Sequence, residues 1–328
     1  MKNQTPPVQS ILVPALCTVV IVAVPALLIW LGLIDAYLAQ IITVAGINAI
    51  LAISVNLITG FCGQLSLGQA GFMAIGAYTC IVFALDLHVP LPAAVILAAL
   101  AAACAAFFIG FPSLKLTGDY LAIVTLGFGE IIRVILNNLR SLTGGANGRQ
   151  FTTILAVSPA LAFLVVTLTL AAVVTLFQNF NRSTYGRAIL AVREDEIAAN
   201  SSGIGIFRYK MAAFVCAGFI AGIGGALYAM IIGFVKPDIA SFTKSIDYLI
   251  FVVLGGMGSL TGSVIAAYIL TATQEALRFL KDYRLLFYPL ILIFVMLFRP
   301  QGLLGMKEFS FLGFAARLKK ITRRLKPV

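Results

Sequence analysis

The feature of this sequence that most restricts its fold is a succession of apolar runs, each long enough to cross a bilayer. A membrane-spanning helix needs about 20 apolar residues. Candidate segments lie at 11–33, 38–59, 67–85, 91–112, 119–137, 155–177, 211–234, 246–257, 262–279 and 284–299. The chain is 11% charged, whereas a soluble domain is about a quarter charged. The sequence therefore predicts an all-α, polytopic integral membrane protein with about ten (eight to ten) spanning helices.

The basic residues predict how these helices are oriented, because cytoplasmic loops carry an excess of Lys and Arg. If every segment crosses, 15 of the 23 Lys and Arg residues fall on one side, mainly in 178–210 and from Arg299 onward. Both termini are then expected in the cytoplasm, which requires an even number of crossings. That number is ten, or eight if 246–279 only dips into the membrane.

The same patterns divide the chain into two parts. A transmembrane domain is predicted at 1–306, with a long polar loop at 181–210 that is too polar to span. The run at 11–33 is interpreted as its first span, because no small-residue cleavage site follows it. Residues 307–328 form a basic cytoplasmic tail, interpreted either as a helix on the anionic inner leaflet or as a solvated segment.

Two glycine-rich segments, at 60–68 and 255–262, interrupt the apolar runs and are expected to break helices. Non-helical backbone at membrane depth survives only where protein or water covers it. Polar side chains in the first break are expected to satisfy the freed backbone groups or to face a translocation path. The residues assigned to the breaks or the path are Asn56, Gln64, Ser66, Gly68, Gln69, Gly255, Gly256 and Gly258. Asn48, Ser54 and Asn56 are interpreted as donors of interhelical hydrogen bonds.

Glu130 and Arg133 are ionisable residues within an apolar segment and lie three residues apart, so they share one helix face and are predicted to pair. Ionisable groups inside a membrane normally face a bundle interior or a wet cavity. A structural ion pair between neighbouring helices is the favoured interpretation, and a proton relay is the alternative.

The sequence offers little for catalysis or metal binding. His88 is the one histidine, and the five cysteines are scattered without metal-like spacing. No phosphate-binding loop of the type Gly-x4-Gly-Lys-Ser/Thr occurs. We therefore expect a protein that is not an enzyme and that binds no metal or cofactor itself.

The polar loop at 181–210 is predicted to dock into a cytoplasmic partner, with a solvated amphipathic loop as the alternative. Three acidic residues are expected to begin a short helix, where negative charge suits the helix dipole. Ala199 lies on its small-residue face, and Gly203 is placed to end it. The residues assigned to coupling with this partner are Arg193, Glu194, Asp195, Glu196, Ala199 and Gly203.

Several motifs resemble those of a known family. They are GQLSLGQAGFMAIGAY (63–78), LTGDYLAIVTLGFGEIIR (116–133), SLTGGANG (141–148), YGRAILAVREDEIAA (185–199), VVLGGMGSLTG (252–262) and LFRPQGLLG (297–305). Together they resemble the permease subunits of branched-chain amino acid ABC importers, and among these the M-type subunits. Glu196-x-Ala-Ala-x3-Gly203 is similar to the coupling loop of ABC importer permeases, although the usual Leu-Pro ending is missing.

The resemblance implies a machine of several chains in a bacterial inner membrane. A second, homologous permease subunit would complete the path, and two ATP-binding subunits would bind ATP and Mg. A periplasmic binding protein would deliver branched-chain amino acids, or urea or short amides as in related permeases. An ion-coupled secondary transporter is the main rival, because such proteins also use broken helices. A membrane-embedded enzyme and a passive channel are weaker alternatives.

Overall fold

The computed structural model describes residues 35–116, 118–279 and 284–299, together with positions 28, 29, 32, 302, 303 and 305. This part of the chain is almost entirely helical. Its elements are α1 (Ala36–Asn56), α2 (Gln69–Ile81), α3 (Leu91–Ser113), α4 (Asp119–Asn138), α5 (Arg140–Thr143), β1 (Arg149–Gln150), α6 (Ile154–Val157), α7 (Pro159–Arg182), α8 (Thr184–Glu194), α9 (Glu196–Ser201), α10 (Ile206–Ile232), β2 (Phe234–Val235), α11 (Phe242–Gly255), α12 (Leu260–Ala276) and α13 (Arg284–Phe298). Two π-helical turns, Leu57–Phe61 and Val82–Asp86, extend α1 and α2.

Five of the described helices are long and apolar enough to cross a membrane. They are Ala36–Phe61, Gln69–Asp86, Leu91–Ser113, Pro159–Arg182 and Ile206–Ile232. Each coincides with a predicted span, and the other predicted spans within the described ranges also form helices, namely α4, α11, α12 and α13. The predicted all-α membrane fold is confirmed. The predicted first span at 11–33 and the basic tail at 307–328 lie outside the described residues.

The centre of the bundle is α10, which packs against α3, α2 and α1. Small residues line these contacts. A β carbon added at Gly222 would lie 2.7 Å from the β carbon of Ala102, and one added at Gly225 would collide with the carbonyl oxygen of Met73. Close backbone approach stabilises helix pairs in lipid, where the hydrophobic effect does not drive helices together. The glycines of α10 are therefore packing residues.

Polar side chains on α1 join it to other helices. Asn48 Nδ2 donates to the Thr271 hydroxyl on α12 (2.9 Å), and the Ser54 hydroxyl donates to the Ala217 carbonyl on α10 (2.7 Å). Asn56 also reaches across to the segment before α12. The interhelical hydrogen bonds expected of Asn48, Ser54 and Asn56 are thus present.

The two ends of the bundle differ. At one end, which we call the β end, β1 pairs antiparallel with β2, and Arg149 lies opposite Val235. The Arg149 guanidinium also donates to the Asp86 carboxylate there. Tyr37, at the start of α1, donates to Glu275 near the end of α12. At the other end, which we call the α8–α9 end, α8 lies beside the breaks that follow α1 and α11.

The segment 246–279 contains most of α11 and all of α12. Because α12 meets α1 both near Asn56 and near Tyr37, it runs antiparallel to α1 along its whole length. This course favours the ten-span alternative over a segment that only dips into the membrane.

Candidate functional site

The first helix break joins α1 to α2. After the π-helical turn the chain bends at Cys62, and residues 63–68 are not helical before α2 begins at Gln69. Cys62 is buried and Gly63 is exposed with a positive φ of 70°. The glycine-rich composition of 60–68 therefore does mark a break at this point.

Polar side chains of this break point into protein rather than to the surface. Gln64, Ser66 and Gln69 are all buried. The Ser54 hydroxyl, which donates to the Ala217 carbonyl, has Oε1 of Gln69 as a second acceptor at 3.1 Å. The Ser66 hydroxyl and the Nε2 of Gln69 have no hydrogen-bond partner among the described residues. Their assignment to a translocation path stays a prediction.

The backbone freed by the break is satisfied by neighbouring helices. The Leu67 N–H donates to the Thr125 hydroxyl on α4 (3.0 Å), and the Ala70 N–H donates to the Ser245 hydroxyl on α11 (3.2 Å). Gln64, Ser66 and Gln69 were expected either to satisfy this backbone or to face the path, and these two bonds are made by Thr125 and Ser245 instead. The physical reason is packing, since Gly68 lets the chain lie so close to α4 that an added β carbon would be 2.9 Å from the Thr125 carbonyl oxygen.

The second break separates α11 from α12 and is a tight turn. Gly255 ends α11 against Gly262 of α12, where a β carbon would approach the Gly262 carbonyl oxygen to 2.5 Å. The Ser259 hydroxyl accepts a hydrogen bond from the Gly262 N–H (3.1 Å) and so caps α12. Gly256 is buried beside Gly305, where an added β carbon would lie 2.5 Å from the carbonyl oxygen.

Asn56 connects the two breaks. Its side chain is fully buried at the end of α1, where Oδ1 accepts from the Gly258 N–H (2.9 Å) and Nδ2 donates to the Ser259 carbonyl (3.0 Å). Gly60 lies equally close, because a β carbon there would be 2.5 Å from the Gly258 nitrogen. One amide side chain therefore holds the second break against the first.

The predicted docking loop contains two helices, α8 and α9, with Asp195 between them. Asp195 has extended backbone, and its Oδ1 accepts from the N–H groups of Ile197 (2.8 Å) and Ala198 (3.0 Å), so it caps α9. The expectation that Glu194 begins the same helix as Glu196 is wrong. The cap at Asp195 interrupts the helix, so Glu194 ends α8 and Glu196 begins α9.

The end of α9 is closed by Gly203. The Ile204 N–H donates to the Ala199 carbonyl (3.0 Å) and the Gly203 N–H to the Asn200 carbonyl (2.9 Å), with Gly203 at a φ of +80°. This pair of bonds is the arrangement that commonly ends a helix at glycine. Ala199 itself is buried.

Glu196 faces its own chain. Its Oε1 lies 2.6 Å from the Nζ of Lys210, in the first turn and a half of α10. The Lys210 side chain is 4% exposed and that of Glu196 is 44% exposed. The pair fastens α9 to the central helix, so the carboxylate acts within this chain.

Arg193, in the last turn of α8, faces the breaks. A β carbon added at Gly63 would lie 3.0 Å from its Cγ, and one added at Gly258 would lie 3.2 Å from its Nη1. The aliphatic stem of Arg193 thus lies on the first break, and its guanidinium reaches the second. Glu194 is exposed beside it.

Ile197 is a residue that sequence reasoning did not single out. It is 81% exposed on α9, while the polar groups around it are satisfied internally. Exposed isoleucine on a short, rigid, polar-capped helix is suited to enter an apolar pocket of a partner, where buried anchors contribute most binding energy. The sequence did contain a signal for this residue, namely a large apolar side chain between Glu196 and two alanines.

Glu130 and Arg133 form an ion pair on α4, with 2.7 Å between Glu130 Oε2 and Arg133 Nε. Each side chain is about one third exposed. Glu130 Oε1 also accepts from the Phe242 N–H at the start of α11 (3.2 Å), and Arg133 Nη1 lies 3.7 Å from Asp238. The pair ties α4 to the start of α11, where a carboxylate is favourable, and this supports the structural interpretation.

The described residues show no group of three or more His, Cys, Asp or Glu side chains placed to hold a metal ion. Cys62, Cys80, Cys104 and Cys216 are free thiols. What this geometry does provide is a mechanical connection between α8–α9 and two interrupted helices.

A family model for branched-chain amino acid transport system / permease component matches residues 37–296. The chain belongs to this family. The permease is 38% identical over 310 residues to the high-affinity branched-chain amino acid transport system permease protein LivM of Salmonella typhimurium. The aligned region covers 84% of this chain and 72% of LivM. LivM of Escherichia coli is 37% identical with the same coverage.

A weaker similarity connects the permease to another protein of such systems. It is 30% identical over 194 residues to the permease protein LivH of Salmonella typhimurium, over 53% of this chain and 61% of LivH. No solved structure matches the chain. The resemblance drawn from the motifs is confirmed, and the chain is a multi-pass membrane permease component of a transport system.

Proposed function

We propose that this permease is the membrane-spanning subunit of an ATP-driven importer that carries branched-chain amino acids. The observation that carries the proposal is the α8–α9 element. Asp195 and Gly203 begin and end its short helix, and Glu196 attaches that helix to the bundle through Lys210. Its Arg193 contacts both helix breaks, and its Ile197 is exposed. A ligand or partner can shift a conformational equilibrium only by its difference in affinity for the two states. The α8–α9 element joins the exposed Ile197 to the interrupted helices, so a partner bound at Ile197 can have a different affinity for each of the two states.

The transporter is proposed to contain further chains. LivM and LivH are both named as permease proteins of one kind of system, which supports a second, homologous permease subunit beside this one. Two ATP-binding subunits hold ATP and Mg at the α8–α9 end, and this chain holds no cofactor and is not an enzyme. A periplasmic binding protein delivers the substrate to the β end.

The orientation follows from the charges. The α8–α9 end carries the 178–210 segment with its five Lys and Arg residues, so it is placed in the cytoplasm. Both termini are then cytoplasmic in a bacterial inner membrane. Closure of the ATP-bound subunits pulls α9, and the helices on either side of the breaks rock between outward-open and inward-open arrangements.

The docking assignment is tested with the complete complex purified through a tag on this permease. Ile197→Asp is expected to reduce co-purification of the ATP-binding subunits by about tenfold or more, because a buried anchor typically contributes about 2 kcal/mol or more. Ile154→Asp is the matched control, since Ile154 is 71% exposed on α6 near the β end. Normal co-purification of Ile197→Asp would remove the assignment.

The cargo is tested by competition for uptake into cells that carry the complex. Leucine, isoleucine and valine are expected to compete for one saturable uptake, whereas urea and acetamide are not. Inhibition by urea alone would assign the permease to the branch of the family that carries urea or short amides.

The ion-coupled secondary transporter is the second candidate, because broken helices with buried polar groups also occur in such proteins. The observation against it is that Glu130 and Arg133 already satisfy each other and the start of α11. Uptake that continues in the presence of an uncoupler distinguishes the two.

A further inference from the structure

Arg193 contacts both helix breaks from a helix that belongs to neither. Its Cγ lies where a β carbon of Gly63 would meet it at 3.0 Å, and its Nη1 lies where a β carbon of Gly258 would meet it at 3.2 Å. Because both positions are glycine, the side chain of Arg193 occupies space that a larger residue at position 63 or 258 would need. Its stem and its guanidinium therefore have separate neighbours, one in each break.

The two breaks are also joined to each other without Arg193. Asn56 holds the main chain of Gly258 and Ser259 through two hydrogen bonds of 2.9 and 3.0 Å, and Gly60 packs directly on Gly258. All of these groups lie at the α8–α9 end. A displacement of either break at this end therefore displaces the other.

The helix that follows Arg193, α9, is attached to the bundle by a different contact. Asp195 caps α9, and Glu196 is paired with the buried Lys210 of α10. The α9 helix thus has its own attachment to the bundle, made by Glu196 and Lys210. Ile197 is exposed on α9, so the proposed docking surface is separate from the contacts that Arg193 makes with the breaks.

We propose that Arg193 is the positioning residue through which movement of α8–α9 displaces both helix breaks together. This inference rests on the proposed function, because it takes α8–α9 to be where the ATP-binding subunits dock. Arg193 acts through Gly63, Gly258 and the Asn56 amide and touches neither ATP nor the transported amino acid. Its removal leaves docking intact and disconnects docking from the breaks.

The test is Arg193→Ala in the complete complex reconstituted in proteoliposomes with its binding protein. Co-purification of the ATP-binding subunits and ATP hydrolysis are expected to stay within about twofold of wild type, while uptake per ATP hydrolysed falls by about tenfold, as for a typical coupling free energy. The matched control is Arg187→Ala on the same helix, since Arg187 is exposed and, among the described residues, its guanidinium donates only to the Arg182 carbonyl and the Thr184 hydroxyl.

Two results of this test would overturn the inference. Unchanged uptake per ATP in Arg193→Ala would show that the contact transmits nothing. Loss of co-purification in Arg193→Ala would place Arg193 in the docking surface itself. If the wild-type complex takes up its substrate without ATP, the proposed function fails instead, so the two failures are distinguishable.

A conservative variant separates the two contacts and guards against a folding defect. Arg193→Lys keeps the aliphatic stem over Gly63 but loses the planar fork that reaches Gly258. Its uptake per ATP is expected to lie between those of wild type and Arg193→Ala. A value equal to wild type would overturn the claim that the second break is moved by the guanidinium.

Cys62 provides a readout that a merely structural role would not change. Its thiol is 3% exposed beside Gly63, and burial raises its pKa to about 12, so alkylation at neutral pH is slow. In a chain with the other four cysteines replaced by alanine, trapping the ATP-bound state is expected to change the rate of maleimide alkylation of Cys62 by about fivefold. Arg193→Ala should remove this nucleotide dependence. An equal nucleotide effect in both proteins would overturn the inference.

Discussion

Replacing Glu196 by glutamine is expected to destabilise the permease more than the exposure of Glu196 suggests. The change removes a carboxylate that lies 2.6 Å from the Nζ of Lys210. Lys210 is 4% exposed, and Glu196 is its one hydrogen-bond partner among the described residues. The variant therefore leaves an ammonium group buried beside a neutral amide, while the shape of the side chain is kept.

The size of the effect follows from the burial of the two partners. Removing one member of a fully buried pair costs about 3–5 kcal/mol, and exposed pairs contribute about 0–1 kcal/mol. This pair has one buried member and one that is 44% exposed. Its loss is therefore expected to cost about 2 kcal/mol, between the two limits.

The assay is the free energy of unfolding in mixed micelles, followed by circular dichroism, with thermal stability as a second measure. Glu194→Gln is the matched control, because Glu194 is the exposed neighbour and ends α8. The double variant Glu196→Gln with Lys210→Met removes the buried charge and is expected to recover most of the loss. A Glu196→Gln protein as stable as the control, or a double variant less stable than the single, would refute the reasoning.

Three further outcomes test other parts of the structure. Replacing Glu130 or Arg133 alone should lower the free energy of unfolding by about 1 kcal/mol more than replacing both by apolar residues, because a single replacement leaves one charge unpaired. A double variant as unstable as the less stable single variant would contradict a structural pair. Gly225→Val should cost about 3 kcal/mol or more, since a β carbon there meets the Met73 carbonyl, whereas Gly127→Ala, which meets nothing within 4 Å, should be neutral. Equal stability of these two variants in the same unfolding assay would contradict the packing of α10. Gln69→Ala should keep normal transport kinetics at normal expression if Gln69 only packs; a changed apparent KM would assign it to the path.

The sequence was sufficient for the membrane architecture because the signal is local. Apolar length alone located the long helices, and glycine clusters located both breaks. The acidic run also marked the α8–α9 element, although it did not show that α8 ends at Glu194 and that Asp195 caps α9. That detail depends on one backbone conformation, which composition does not encode.

Contacts between distant parts of the chain could not be predicted from the sequence. Nothing in the residues around Asn56 indicates that its amide binds Gly258 and Ser259, about two hundred residues later. Likewise, Lys210 looked like one of several basic residues of a cytoplasmic loop, but it is buried under Glu196. These pairings are set by helix packing, and packing in turn depends on small residues whose partners lie on other helices.

The central claim is that this permease works in an importer driven by ATP through α8–α9. The most direct measurement is uptake of labelled leucine by proteoliposomes that contain the complete complex, with and without internal ATP and with and without a protonophore. Uptake is expected to require ATP and to continue when the protonophore abolishes the proton gradient. Uptake that proceeds without ATP and stops when the protonophore is added would contradict the claim.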